Sequence, residues 1–467
     1  MKKKICTCFL MTVIGMSSLY AQNWRLIKPA YPTKDAFVAG YSVTDFGAKG
    51  DGITDDTESF QKGLNSLTNV GPSKVNGGIL FVPAGKYVIK GNLNIPKGVT
   101  IRGEWKKPEK GQPIEGTILM AYAGRGDENA TPLITMEPAA GVMDLAIWYP
   151  EQTPDNIVPY PASIVMGKPK HFGNEYCNVK NITLVNSYIG IAISRVNGGG
   201  CPVFYDIYGS PLSVGIEIDY IADVGRIDRV DFSPAYWCGS GLPDSPAAGG
   251  SFDKRIYKNG TGIMMRKNDW SYTTNITVEG YKVGFNAAPS ITNEGSKPNG
   301  QNYQLKVIGC KTGIQCDAIA NSGIQFTRSI IKNCENGVVV NKGTAGALHF
   351  HTCEIDATQN AFVTDAESST RIMILQNQIQ KGNVNINGAI LTFIDCDFYN
   401  RSRKKCQKHN YGKSVQRKSK HRESFFIGMY YRPHSCFIGK TSGISRGNVR
   451  KSKTKTGQRI FVPGNRS

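Results

Sequence analysis

Long hydrophobic runs, metal-binding cysteine spacings and histidines are all scarce in this chain of 467 residues. One apolar run covers residues 5–20; it follows a basic start, MKKK, and ends before Ala21. A run of this length is short for a membrane span and typical of a secretory signal peptide. The sequence therefore predicts a signal peptide over 1–21, no membrane span, and a protein that is secreted or periplasmic.

Acidic residues are almost missing from the C-terminal part of the chain. Residues 401–467 hold nineteen Lys or Arg and one acid, Glu423, whereas residues 1–400 carry a net charge of only +2. One interpretation is a basic arm for nucleic acid or an anionic polymer. The other is a segment that was never selected for this fold, as after a reading-frame shift near position 400. The segment lacks Asp and shows no strand period, which favours the second interpretation, so we expect a tail of low order and no nucleic-acid partner.

The cysteines show no CxxC spacing of the kind that zinc sites use. Export permits disulfides, and a bridge between Cys177 and Cys201 is an alternative that the spacing does not decide. Cys310 and Cys334 occupy similar places in successive repeats. Buried thiols that pack as small apolar groups explain this pattern best.

A short phrase recurs with a period in the twenties: Gly, a branched apolar residue, a variable residue and another apolar residue. A second phrase, NITL or NITV, begins nine residues before the Gly phrase both times, and its Asn is expected at a corner. Short alternating strands in a fixed order with this period are typical of a solenoid. The sequence predicts an all-β chain, a single-stranded right-handed parallel β-helix over residues 22–400. The Gly phrase stands at 190–193, 215–218, 262–265, 284–287, 313–316 and 337–340.

The segment DFGAKGDGITDDT at 45–57 contains a Gly-rich turn and the start of a helix. Asp55 and Glu58 have the spacing of a capping box, and Phe60, Leu64 and Leu67 fall on one helical face. Together with VPAGKYVI and GVTIRGE, this segment resembles the N-terminal signature of the pectate-lyase-like superfamily, which rhamnogalacturonases, epimerase-like proteins and phage tailspikes share. The resemblance implies a β-helix whose N-terminal end is covered by the helix, and it implies no catalytic group within the segment.

Three insertions depart from the repeat, at 148–164, 233–255 and 286–303. Function in a solenoid collects on such insertions, and their aromatic side chains could stack on sugar rings. We predict that Trp148, Tyr149, Tyr160, Trp237 and Trp270 bind substrate. Glycoside hydrolysis needs a pair of carboxylates, and we predict Glu151 or Asp269 as the catalytic acid. Other acids near the insertions are Asp155, Asp244 and Asp253; Glu217 and Asp219 share one face of a strand, and Asp228 and Asp231 follow.

Motifs of specific enzymes are missing. Polygalacturonase-like hydrolases carry NTD, GHG and RIK, and none of these occurs here. DGITDD at 51–56 lacks the ligand spacing of a calcium loop. His349 and His351 share a strand face but have no third ligand. We therefore expect no metal and no cofactor.

These observations predict an exported protein that handles polysaccharide, as a glycoside hydrolase or a polysaccharide lyase. The loop at 148–161 also looks like loops of β-helix proteins related to exo-acting β-1,3-glucanases. The alternatives are a glycan-binding or adhesive scaffold without catalysis, and an enzyme that lacks part of its site. The sequence names neither the sugar nor the oligomeric state.

Overall fold

The computed structural model describes residues 25–31, 35–69, 76–167, 174–193, 199–292 and 294–398. The predicted signal peptide and the predicted tail lie outside the described residues. Within them, nearly all strands join one continuous parallel arrangement, in which each strand pairs with strands one turn before and one turn after it. This is the parallel β-helix that the repeat predicts.

Each turn of the chain passes through three faces, which we name sheets A, B and C in the order the chain meets them. Strands that belong to sheet A alone are Tyr41–Ser42, Gly78–Phe81, Val99–Arg102, Gly300–Tyr303, Ile324–Thr327, Ala347–His351, Arg371–Leu375 and Ile390–Ile394. Strands that begin in sheet A and end in sheet B are Gly141–Trp148, Asn178–Leu184, Val203–Gly209, Arg226–Phe232 and Tyr272–Glu279.

Sheets B and C are built in the same way. Strands of sheet B alone are Asp51–Asp55, Gly85–Ile89, Thr117–Ala121, Lys306–Ile308 and Asp397–Phe398. Strands shared by sheets B and C are Ile330–Val340, Glu354–Thr364 and Gln378–Ile386. Strands of sheet C alone are Leu93–Ile95, Ile134–Met136, Ala162–Met166, Ile189–Ile193, Val214–Ile218, Thr261–Met265, Val283–Ala287 and Thr312–Cys316.

Two short strand pairs lie outside these sheets. Arg25–Ile27 pairs antiparallel with Phe37–Ala39, and Asn174–Glu175 pairs parallel with Gly199–Gly200. The described helices are α1 (Thr57–Asn65), α2 (Ser251–Asn259) and two 3-10 turns, Val43–Phe46 and Pro234–Tyr236. Neither α-helix is long and apolar enough to cross a bilayer.

The Gly phrases stack in register on sheet C, as predicted. Ile191 pairs with Ile216, Ile216 with Ile263, and Ile263 with Phe285, and the ladder continues through the remaining phrases. The wide spacing between 215 and 262 is therefore one turn with an insertion. Glycine is required because the wall is tight there: a Cβ on Gly215 would lie 2.3 Å from Cε2 of Phe232 and 2.5 Å from the carbonyl oxygen of Gly262.

A single residue in the left-handed conformation turns the chain from sheet A to sheet B. Asn181 and Asn275 have φ of 55° and 54°, and Asp144, Asp206 and Arg229 hold the same position in their coils. Asn and Asp tolerate this conformation better than most residues. The expected corner role of the NIT asparagines is confirmed.

Helix α1 covers the N-terminal end of the core, as the resemblance implies. Phe60, Leu64 and Leu67 are fully buried. Gln61 closes the free edge of the first sheet C strand: its side-chain amide donates to the carbonyl of Asn94 at 3.0 Å, and its carbonyl accepts from the Asn94 N–H at 2.9 Å. A glutamine side chain thus replaces the strand that the preceding coil would supply.

The predicted capping box at this helix is wrong. Asp56, not Asp55, is the residue before the first turn, and it makes no side-chain cap. Its carboxylate is buried and instead accepts from the N–H groups of Lys49 and Gly50, at 2.7 and 3.1 Å. Glu58 forms an ion pair with Lys62, 2.7 Å away. The turn at 45–56 uses its acids to hold backbone, which the spacing alone does not reveal.

The described cysteines are free thiols, so Cys177 and Cys201 are not bridged in this structure. Cys310 and Cys334 are buried and stack in consecutive coils. Burial raises the pKa of the Cys310 thiol. These side chains serve as small core groups, as expected.

Candidate functional site

The three insertions all border sheet C. The first (148–164) and second (233–255) leave the coil between sheets B and C, and the third (286–303) leaves it between sheets C and A. Two of them therefore share one edge of sheet C and the third stands at the opposite edge.

Four of the five predicted sugar-stacking aromatics lie in the interior. Tyr149, Tyr160 and Trp237 are fully buried and Trp148 is 3% exposed. A sugar ring cannot stack on a side chain without an exposed face, so these four hold their insertions on the core. Trp270 alone keeps an open face, at 43% exposure.

Contacts between buried rings show how the insertions are held. Tyr149 and Tyr160 meet edge to face with centroids 4.7 Å apart, and the hydroxyl of Tyr149 lies 2.9 Å from that of Ser163. Trp237 meets Phe252 of α2 at 4.8 Å. Edge-to-face pairs of this kind stabilise a fold beyond their buried area. The aromatic content of the insertions is thus explained by packing.

The two predicted acids stand at different corners. Glu151, between sheets B and C, accepts a hydrogen bond from the Tyr160 hydroxyl at 3.1 Å and lies 3.5 Å from Arg125. Asp269, between sheets C and A, forms an ion pair with Lys267 at 2.5 Å. Each carboxylate has its own partner, and the two do not face one another across a single cleft.

A different group of charges converges on the outer face of sheet B. The ammonium of Lys110 lies 3.1 Å from a carboxylate oxygen of Asp231 and 2.7 Å from one of Glu279. These two contacts keep the two carboxylate oxygens within about 6 Å of each other. The side chains of Lys110, Asp231 and Glu279 are 31%, 26% and 31% exposed, and the Asp231 oxygen that contacts Lys110 is itself buried.

The strand pattern places both acids on the same face. Val230 and Phe232 point into the core, so Asp231 between them points outward. Asp231 pairs in register with Thr277 in the next coil, and Glu279 stands two residues further along that strand. Two residues along a strand bring a side chain back to the same face.

Lys110 reaches this face from a loop that crosses sheet B. The loop at 103–116 joins sheet A to sheet B, and its backbone is tied to the second insertion: Gly111 N–H donates to Ala235 at 2.8 Å, and Ile114 N–H donates to Ser240 at 2.9 Å. Trp105 in the same loop donates its indole N–H to Thr183 at 2.9 Å. The loop at 103–116 and the second insertion together cover the middle of the outer face of sheet B.

Two tyrosines beside the acids complete the group. Tyr236 and Tyr208 are almost fully buried, with ring centroids 6.0 Å apart. Burial, with Asp231 close by, raises the pKa of Tyr236. Burial raises the pKa of Tyr208 to about 12. Burial also raises the pKa of Asp231, although Lys110 acts in the opposite direction. A raised pKa favours the protonated form of a carboxyl group, which is the form that a general acid needs.

A cavity of about 470 Å³ opens beside Glu279, between sheet B and the exposed face of α2. Phe252 and Ile256 bury one face of α2, which leaves Lys254, Tyr257 and Lys258 toward the cavity. The hydroxyl of Tyr257 is hydrogen-bonded to Glu335. Pockets with a few convergent polar groups and shifted pKa values are the usual place for a binding site.

The other motifs lead to no site of this kind. Asp51 of the DGITDD turn accepts hydrogen bonds from Ile53 and Thr54, so its oxygens serve the turn. His349 and His351 lie with centroids 6.2 Å apart on sheet A. Among the described residues, no group of three or more His, Cys, Asp or Glu is placed to hold a metal.

From the sequence, Asp231 was identified only as an acid near the insertions, and Lys110, Tyr236 and Glu279 were not predicted. One signal was present: Asp231 alternates with two apolar residues in the last strand before the second insertion. Lys110 lies more than a hundred residues away in the chain, and only the fold brings it here.

Comparison with known proteins concerns mainly the N-terminal segment. Residues 40–121 match the family model described as rhamnogalacturonase A/epimerase, pectate lyase-like. This segment is pectate-lyase-like. The predicted resemblance is confirmed, and the matched residues include α1 and the first coils but neither Asp231 nor Glu279.

Curated relatives match short stretches of the chain. Alginate lyase 7 of Azotobacter vinelandii is 39% identical over 87 residues, which cover 19% of this chain and 8% of the relative. The tail spike protein of Shigella phage Sf6 is 39% identical over 69 residues, 14% of this chain and 10% of the relative. The matches thus span about a tenth or less of these relatives' lengths.

Among solved structures, the mannuronan C-5 epimerase AlgE4 A-module of Azotobacter vinelandii is similar. It is 15% identical with a TM-score of 0.44, and the alignment covers 85% of this chain and 100% of that chain.

Proposed function

We propose that this protein is an exported glycoside hydrolase that cleaves polysaccharide at the outer face of sheet B, with Asp231 and Glu279 as its catalytic carboxylates. The observation that carries the proposal is the convergence of these two acids on Lys110, with their oxygens within about 6 Å, beside a cavity of about 470 Å³. The polysaccharide-acting enzymes among the curated relatives support the substrate class.

In this proposal Asp231 is the general acid. Burial raises its pKa, so it can hold the proton that the leaving oxygen needs. Glu279 is assigned as the nucleophile because the contacts with Lys110 limit the distance between the two carboxylate oxygens to about 6 Å, below the roughly 6.5–9.5 Å of inverting enzymes. Lys110 fixes the orientation of the Glu279 carboxylate and balances its charge.

The reaction takes two steps. Asp231 gives its proton to the glycosidic oxygen as the bond from that oxygen to the sugar carbon breaks, and a Glu279 oxygen forms an ester with that carbon. Water then attacks the same carbon, Asp231 takes the proton of the water, and Glu279 leaves as a carboxylate. Net configuration is retained.

The test is a screen of pectins, glucans and host glycans that measures new reducing ends and the absorbance of unsaturated products separately. A hydrolase yields reducing ends without unsaturated products. Asp231→Asn and Glu279→Gln should each lower kcat by about 10²–10⁴-fold while the melting temperature stays high enough for a folded protein.

Matched controls are Glu151→Gln and Asp269→Asn, which change the acids that the sequence predicted. Both should leave the rate close to wild type. A large loss in either control, with full activity in Glu279→Gln, would return the catalytic role to the insertions. Unsaturated products from the wild-type chain would replace hydrolysis by a lyase reaction.

A further inference from the structure

The outer face of sheet A differs from that of sheet B, because in the described part of the chain no insertion crosses its middle, whereas the loop at 103–116 crosses sheet B. From Lys180 onward, the outward side chains of sheet A form two rows along the axis, and none of them is buried. The first row is Arg226, Tyr272, Gln301, Gln325, His349 and Met373, and the second is Lys180, Tyr205, Asp228, Thr274, Tyr303, Thr327 and His351.

Large aromatic rings are exposed on this face. Tyr272 and Tyr303 are 41% and 37% exposed, and Trp270 stands at the entrance to the face with 43%. Tyr272 pairs with Gln301 in the next coil, so Tyr303 of that coil lies diagonally from it. Exposed rings on a rigid sheet, with amide side chains between them, offer stacking surfaces and hydrogen bonds with little loss of side-chain entropy.

The charges of the face are unbalanced toward positive. Its acids Asp206 and Asp228 share one cation: Asp206 forms a two-point ion pair with Arg229 at 2.8 and 2.9 Å, and Asp228 contacts the same guanidinium. Among the described residues Arg226 makes no ion pair, and the Arg328 guanidinium donates to the Tyr303 hydroxyl at 3.3 Å without forming an ion pair there. Exposed cations beside exposed rings favour a ligand that is ring-shaped and anionic.

We propose that this face, which we call the sheet A tyrosine face, binds an acidic polysaccharide along the axis of the β-helix. Sugar rings stack on Tyr272 and Tyr303, and the carboxylates or sulfates of the chain pair with Arg226 and Arg328. The coil step of about 4.8 Å is close to the length of one sugar unit in an extended chain, so successive sugars meet successive coils.

The face is separate from the proposed hydrolytic site, which lies on sheet B, and the two proposals can fail independently. Binding is measured on the full chain by affinity electrophoresis in gels that contain polygalacturonate or its fully methyl-esterified form. The two polymers share a backbone and differ in charge. The wild-type chain should be retarded by the acid form, less so at high salt, and should pass the ester form nearly unhindered.

The variant Tyr272→Ala/Tyr303→Ala should bind the acid form at least tenfold more weakly, and Arg226→Gln/Arg328→Gln should lose the salt-dependent part. Tyr176→Ala, which removes a ring 59% exposed outside both rows, should bind like wild type. Asp231→Asn should also bind like wild type, and the tyrosine variant should still hydrolyse a soluble oligosaccharide.

No retardation of the wild-type chain, equal retardation by both polymers, or wild-type binding by the double tyrosine variant would each overturn the proposal. Light scattering completes the test: an oligomer in the wild-type chain that the tyrosine variant lacks would assign the face to contacts between copies of this chain.

Discussion

Sheets A and B share five strands in the middle of the β-helix and yet present opposite kinds of surface. Strand Tyr272–Glu279 delivers Tyr272 to an open face and Glu279 to a charged group beneath a loop. The backbone on both sides of the bend at Asn275 is the same regular ladder. What differs is the loop at 103–116, which crosses sheet B and leaves sheet A uncovered. In this solenoid the stacked strands place the outward side chains. The loops that cross a sheet determine which of these side chains are enclosed and which remain accessible to a long ligand.

The largest loss of stability should come from disrupting the bend between sheets A and B at Asn275. Asn275→Val places a β-branched residue at a φ of 54°, and we expect a loss of about 1–3 kcal/mol in the free energy of unfolding. Asn275→Gly keeps the conformation accessible and should cost less, although it loses the hydrogen bond to Asp228 at 2.8 Å. Urea unfolding measures both. Equal losses would mean that the side-chain hydrogen bond, not the bend, sets the stability here.

Weakening the attachment of the loop at 103–116 to sheet B should cause a smaller loss of stability. Lys110→Met leaves Asp231 and Glu279 without their shared cation, and we expect a loss of about 1–2 kcal/mol, between the values for exposed and buried ion pairs. Hydrogen exchange of residues 103–116 should quicken, and that of sheet A should not. Lys107→Met changes a cation 5.2 Å above the ring of Tyr208 in the same loop and serves as the control. A similar loss in the control would show that the loop responds to any missing charge.

The pH dependence of stability should separate Asp231 from an ordinary surface acid. Burial raises its pKa above the usual 3.8, so its favourable contribution is present at low pH and is lost as the pH rises through the raised value. The stability of Asp231→Asn relative to wild type should therefore increase with pH. Asp51→Asn should show the opposite slope, because hydrogen bonds to Thr54 and Ile53 lower the pKa of Asp51. Parallel slopes in the two variants would contradict the assignment of Asp231 as a proton-holding acid.

The smallest effect should come from the sheet A tyrosine face. Tyr272→Ala and Tyr303→Ala remove exposed side chains, and each should change the free energy of unfolding by no more than about 0.5 kcal/mol. Thermal unfolding checks this directly. A larger loss would mean that these rings support the wall, and any loss of glycan binding would then have a structural origin.

Much of the fold was predictable because the same packing and backbone constraints recur in every turn of a solenoid. The Gly phrases identify the tightly packed strands of sheet C, and the NIT phrases identify the bend between sheets A and B. The apolar face of α1 identifies the end cap. Each signal is local and recurs at a fixed spacing. The capping box failed because Asp55 and Asp56 are adjacent and both suit a helix start, and only the fold shows which one holds the turn.

The candidate site was less predictable because aromatic residues in an insertion serve packing and ligand binding equally well. Trp148 and Trp237 are residues of the type that stacks on sugar rings, but both side chains are buried in the core. Trp270 differs from them because it lies at the corner between sheets C and A with its side chain 43% exposed. The acids gave the same difficulty: the apolar residues on either side of Asp231 indicate only that it points outward, and they do not show that Lys110 reaches it while Arg229 binds Asp228.

The sequence by itself determined that this chain winds as a parallel β-helix with a helical plug, because period, alternation and corner residues are properties of neighbouring positions. Only the tertiary structure decided which faces remain open and which acids meet. Lys110, Asp231 and Glu279 come from widely separated parts of the chain, and their encounter depends on how one loop crosses the stacked coils. No local pattern encodes that crossing.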